Sequence, residues 1–157
     1  MKKTATLMLT IFYLVSLSAC NNDGPKTSGL ALLQTTHPSP TILSENKDKE
    51  MDVAKDVERE ISKFKELYDV AVIKKDKEML VAYKVKHLQR FRMKQIEKKM
   101  TKLLEEKYPK YTFIVSSDYK IFLEAVELHE SMKNPNYSKK KAKERFDRIV
   151  KLRNELT

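Results

Sequence analysis

The chain has 157 residues, 34% of them charged, and carries 32 Lys and Arg against 22 Asp and Glu for a formal net charge of +10. Its single cysteine, Cys20, excludes a disulfide framework and a thiolate metal cage, and its two glycines, Gly24 and Gly29, leave no material for a glycine-rich phosphate loop. The residues from Asp48 onward contain no glycine and hold 28 Lys and Arg against 20 Asp and Glu, near +8. That length suits one domain with one core.

At the N-terminus, Lys2-Lys3 precede an apolar run from Thr4 to Val15, followed by Leu17-Ser18-Ala19-Cys20. A basic start, an apolar segment well short of the roughly 20 residues a bilayer span needs, and small residues before a cysteine make the pattern of a bacterial lipoprotein signal. In that pattern the Cys20 thiolate accepts a diacylglyceryl group and residues 1–19 are removed. The mature chain is then expected to begin at lipidated Cys20, held on the outer face of a membrane by acyl chains.

Residues 20–47 change in composition to Gly24, Pro25, Gly29, Pro38, Pro40 and scattered Ser, Thr and Asn, which read as a disordered tether. A coil of this length reaches on the order of 25–30 Å. Within it, Leu30-Ala31-Leu32-Leu33 either dips into headgroups, packs on the domain or does neither.

From Lys49 to Leu67, Val53, Val57, Ile61 and Phe64 recur at helical spacing, with Asp48 and Asp52 at the end where the helix dipole favours them. Tyr68–Ile73 and Met79–Val85 read as an antiparallel hairpin around the charged turn Lys74–Glu78. In its second strand Met79, Val81, Tyr83 and Val85 share the better candidate core face, and Leu80, Ala82, Lys84 and Lys86 the other. Gln89 to Tyr108 reads as a long helix with the stripe Met93, Ile96, Met100, Leu103 and Leu104, stopped by Pro109. A strand follows from Lys110 to Val115. Ser117 or Asp118 then caps a helix to Met132, Asn134-Pro135-Asn136 turns the chain, and Ser138 to Leu156 carries Ala142, Phe146, Ile149 and Leu156 on one face.

The order α-β-β-α-β-α-α predicts an α+β fold. A small α-β-β-α-β sandwich keeps its first two helices on one face of the sheet, and two C-terminal helices either cover the other face or extend sideways as a platform. Residues 48–157 form this domain.

The lipobox, the polar tether, the hairpin around Val70 to Val85, the Lys-rich helix ending near Pro109 and the strand Tyr111–Asp118 running into Tyr119-Lys120-Ile121-Phe122 resemble the YhcN/YlaJ-type sporulation lipoproteins of endospore-forming bacilli. The long basic C-terminal helix is similar to the YlaJ branch. The resemblance implies a Gram-positive lipoprotein made during sporulation, carried on a spore membrane and contributing to spore properties or germination without a known enzymatic activity. It offers no catalytic residue to carry over. The element order is also similar to BON domains and to ring-building modules of sporulation channels, which implies membrane binding or self-association.

The residues themselves offer little chemistry. His37, His87 and His129 do not combine with carboxylates at metal-ligand spacing, so neither metal nor cofactor is expected. Glu58 with Glu60, and Glu105-Glu106, sit among Lys and Arg as solvated charge, and the chain does not read as an enzyme. One cluster stands out. Arg90, Lys94, Lys98 and Lys102 are four apart and form a basic ridge, flanked by Arg92 and Lys99, that either is a solvated face or meets an anionic surface such as lipid headgroups or wall polymer. Nucleic acid is disfavoured because a domain held on the outer face of a membrane is in the wrong location for it. The expected partners are therefore a membrane through the N-terminal lipid, a protein or second copy, and an anionic lipid or polymer. In the C-terminal helix, Lys139-Lys140-Lys141 oppose the dipole, and Glu144 with Arg148 and Asp147 with Lys151 are spaced to pair.

Overall fold

A computed structural model describes residues 37–44 and 47–156. The signal segment, Cys20 and most of the tether lie outside them. In chain order the elements are β1 (Thr41–Ile42), α1 (Lys47–Ile61), β2 (Leu67–Lys75), β3 (Glu78–Val85), a 3₁₀ helix (His87–Arg92), α2 (Met93–Lys107), β4 (Thr112–Ser116), α3 (Tyr119–Met132) and α4 (Lys139–Glu155). The four strands form one mixed sheet in sequential order. β1 and β2 are parallel, β2 and β3 antiparallel, and β3 and β4 parallel.

The fold is α+β as expected, with both sheet faces covered. Alternation along β2 and β3 sends Val70, Val72, Met79, Val81, Tyr83 and Val85 toward α1 and α2, where they meet Ala54, Val57, Ile61, Ile96, Met100 and Leu104. Ala71, Ile73, Leu80 and Ala82 face the other way, onto Ile121, Phe122, Ala125 and Leu128 of α3 and Ala142, Phe146 and Ile149 of α4. The C-terminal helices are thus the second cover of the sheet. A strand buried on both faces carries apolar residues at successive positions, and this is why Met79 to Tyr83 read as a continuous apolar run.

α1 is shorter than its periodicity predicts. Ser62 Oγ donates to the Glu58 carbonyl at 2.8 Å, and Phe64 N–H bonds back only three residues, to Ile61, at 3.0 Å. This tight end turns the chain so that Phe64 and Leu67 return to the core from outside the helix. The hairpin is tighter too. Lys75 pairs with Glu78, which leaves only Asp76-Lys77 as the turn, and Asp76 takes the positive φ of 54° that Asp tolerates. Lys74, expected in that turn, is instead buried in β2 with Nζ on the Asp76 carbonyl and 5.2 Å from the Tyr111 ring centre.

β1 was not anticipated, because Thr41 and Ile42 lie in the Pro-rich stretch read as tether. Ile42 joins the core on the α1 side and Leu43 the core on the α3 side. Leu43 N–H donates to the Lys74 carbonyl at 2.9 Å, and Thr41 Oγ1 hydrogen bonds His129 Nδ1 on α3 at 2.8 Å.

Beside β1 lies a buried ion pair. The register slips by one residue between Leu67 and Asp69, a bulge at Tyr68 that turns Asp69 to the α3/α4 face opposite its partner Lys84. Lys84 Nζ is 3.1 Å from Asp69 Oδ2, with the two side chains 4% and 0% exposed. Asp69 Oδ1 accepts the N–H groups of Val70 at 3.0 Å and His37 at 3.1 Å. The Lys84 ammonium also sits 4.6 Å from the Phe122 ring centre and 4.8 Å from that of Tyr68.

Candidate anionic-surface site

α2 docks on the sheet through Ile96, Met100 and Leu104, which are buried at four-residue spacing. Lys94, Lys98 and Lys102 share that spacing but are offset by two residues, about 200° around a helix of 3.6 residues per turn. They therefore point directly away from the core, and all three are exposed. Arg90, the fourth member of the predicted ridge, is also exposed but belongs to the 3₁₀ helix that precedes α2. The long helix predicted from Gln89 is thus two helices of different winding, because no residue from His87 to Arg92 is buried and no core contact holds that turn in α geometry.

The carboxylates near the ridge are mostly engaged. Glu97 of α2 lies 3.6 Å from the Arg153 guanidinium of α4, and Lys102 is 3.8 Å from Glu106 one turn on. At the other end of α2, Lys107 meets Glu60 of α1 at 2.6 Å, and Lys63 meets the same carboxylate. Hydrogen bonds from Lys107 and then Lys63 hold the Glu60 carboxyl down to about 2. Arg90, Lys94 and Lys98 form no ion pair among the described residues. Lys99 lies 5.3 Å from the Phe64 ring centre, so its charge is partly turned toward the segment that follows α1.

The 3₁₀ helix adds a feature that the charge pattern alone did not single out. Leu88 and Phe91 are 84% and 96% exposed. Both lie outside the apolar stripe that begins at Met93, and the run from Met79 to Ile96 contains no carboxylate. Those two signals were present in the sequence.

The histidines do not converge. His37 Nδ1 is 3.8 Å from Asp69 Oδ1, His87 is exposed in the 3₁₀ helix, and His129 bonds Thr41. Among the described residues no cluster of His, Cys, Asp and Glu could hold a metal ion, and no helix is long and apolar enough to cross a membrane. On α4, Asp147 pairs with Lys75 of β2 and Lys151 with Glu155, in place of the Asp147–Lys151 pair that spacing suggested. A cleft of about 360 Å³ between α3 and α4 is lined by Glu124, Tyr137, Arg145, Arg148, Ile149 and Leu152. Arg145 there is held by Glu124 at 3.0 Å and by Glu127.

Fold and site together define a basic α+β module whose charged ridge faces outward from a fully covered sheet. The family model for the sporulation lipoprotein YhcN/YlaJ matches residues 34–150. The chain belongs to this family of sporulation lipoproteins, and membership implies association with a membrane. The match begins before β1, in keeping with β1 as part of the fold. Comparisons with curated proteins and with solved structures return no match.

Proposed function

We propose that the chain is a non-enzymatic lipoprotein of sporulation, anchored by diacylglyceryl-modified Cys20 on the extracytoplasmic face of a cell or spore membrane. There its α+β domain serves as a binding module, docking a protein partner or a second copy in spore formation or germination. The observation that carries this reading is the family match over residues 34–150, taken with the lipobox that ends at Cys20. Mass spectrometry of membrane fractions from vegetative and sporulating cells tests it. A diacylated Cys20 peptide confined to sporulating material, and lost in Cys20→Ala, is the expected result; an unprocessed Met1 terminus or equal abundance in growing cells refutes it.

The outward ridge favours a second reading, in which the domain itself binds anionic lipid or wall polymer. Lys94 and Lys98 point into solvent with no ion pair among the described residues, and repulsion between like charges at this spacing is relieved when an anionic surface covers them. Salt-sensitive binding to anionic vesicles that is lost in Lys94→Glu/Lys98→Glu/Lys102→Glu supports this reading. Unchanged binding by that variant refutes it.

A further inference from the structure

A single exposed apolar side chain is ordinary on a protein surface. Leu88 and Phe91 form a different arrangement. They are three residues apart in a 3₁₀ helix, where side chains at i and i+3 eclipse, so the two project together from a turn that buries none of its residues. Around them Lys86, Arg90, Arg92 and Lys94 are all exposed. Arg90, Arg92 and Lys94 form no ion pair among the described residues, and the nearest carboxylates along the chain are Glu78 and Glu97.

We propose that this turn is a membrane wedge: Leu88 and Phe91 enter the boundary between headgroups and acyl chains of an anionic bilayer, while Lys86, Arg90, Arg92 and Lys94 contact the headgroups. The proposal rests on the membrane-attached reading above. Charge complementarity selects this occupant, since an apolar pair ringed by cations matches the layering of an anionic bilayer, with negative charge outside and hydrocarbon about 5–10 Å below. Attachment of the same chain to that membrane makes the contact intramolecular in effect, so two side chains suffice to orient the domain even though they would bind weakly alone. The ridge of α2 continues from the turn, and Lys98 extends the contact along the surface.

The chain contains no tryptophan, so Phe91→Trp places one fluorescent reporter at a position 96% exposed and outside the core. The full chain carrying this substitution is reconstituted into vesicles of phosphatidylglycerol and phosphatidylcholine with brominated acyl chains. The wedge predicts a blue-shifted emission that loses most of its intensity to the bromines. Phosphatidylcholine alone, or high salt, restores much of the intensity, and adding Leu88→Asp weakens the contact about tenfold or more. If the chain co-floats with the vesicles but its emission stays at the aqueous maximum and unquenched, the wedge is overturned and attachment stands. A chain that does not co-float overturns the attachment and the wedge with it. A blue shift that is insensitive to bromine and grows with protein concentration assigns the pair to a second copy and overturns the lipid contact.

Discussion

Breaking the Asp69–Lys84 pair offers the sharpest test of the fold. Each member sits on the α3/α4 face of the sheet, and their contact depends on the bulge at Tyr68. Lys84→Met takes the ammonium from a carboxylate that keeps the N–H groups of Val70 and His37, whereas Asp69→Leu takes from Lys84 the carboxylate 3.1 Å away and also removes the acceptor of those two N–H groups. Loss of one partner of a buried pair costs about 3–5 kcal/mol. The backbone donors around Asp69 place Lys84→Met at the lower end of that range and Asp69→Leu at the upper. For a domain of this size each kcal/mol moves Tm by about 4 °C, so losses of roughly 12–20 °C are expected. The double substitution Asp69→Leu/Lys84→Met replaces both charges by apolar groups of similar bulk and recovers the part of the loss that comes from the uncompensated charge, while the Val70 and His37 N–H groups still lack their acceptor. Urea and thermal unfolding followed by circular dichroism measure all four proteins. If both single variants lose less than about 1 kcal/mol, the charges are solvated in the folded state and the closed pair is refuted.

Other consequences are as direct. Phe146→Ala removes the largest side chain α4 contributes to the core and costs about 3–5 kcal/mol in urea unfolding if α4 covers the sheet; a loss under about 1 kcal/mol would mean a detached helix. Burial first, then Lys133, lower the His129 pKa from its ordinary 6.5, against the pull of Glu130. The unfolded chain therefore takes up this proton more readily, so the His129 contribution is complete above pH 6.5 and lost as pH falls through the lower folded value; an NMR titration midpoint at or above 6.5 would contradict the burial. Glu60, held down to about 2, stabilises the fold above pH 4.5 and loses that contribution as pH falls toward 2, so Glu60→Gln should flatten the acid limb of stability in this window. An unchanged acid limb in unfolding midpoints would refute the Lys107–Glu60 contact.

Much of the architecture was legible where periodicity runs long. Val57 and Ile61, the stripe Ile96-Met100-Leu104, the alternation from Met79 to Val85 and the cap at Asp118 all carry local signals. Asp118 Oδ1 accepts the Lys120 and Ile121 N–H groups at 2.7 and 3.1 Å, as a helix cap should. β1 was hidden because two residues between Pro40 and Leu43 are too few to show alternation, and its place is set by β2, where Thr41 pairs with Ile73 and Ile42 with Lys74. Lys84 marked its face of β3 as the weaker core candidate, and the partner that makes burial tolerable sits on the neighbouring strand. Of the site, the Lys spacing on α2 was readable and its outward direction followed from the core stripe. The change of winding at Met93 was not, since it reflects the absence of core contact from His87 to Arg92.

Arg153 also reaches across from α4 to β4, where its guanidinium donates to the Val115 carbonyl at 3.3 Å. β4 is an edge strand, and an open edge can recruit the edge of another molecule. Molecules tethered to one bilayer diffuse in two dimensions and collide far more often than the same number in bulk solvent. A lipoprotein concentrated at a membrane thus lives under crowding that rewards any sticky edge with runaway stacking. The Arg153 side chain laid against this edge strand puts a long cationic group beside it, and such a group blunts edge-to-edge recruitment.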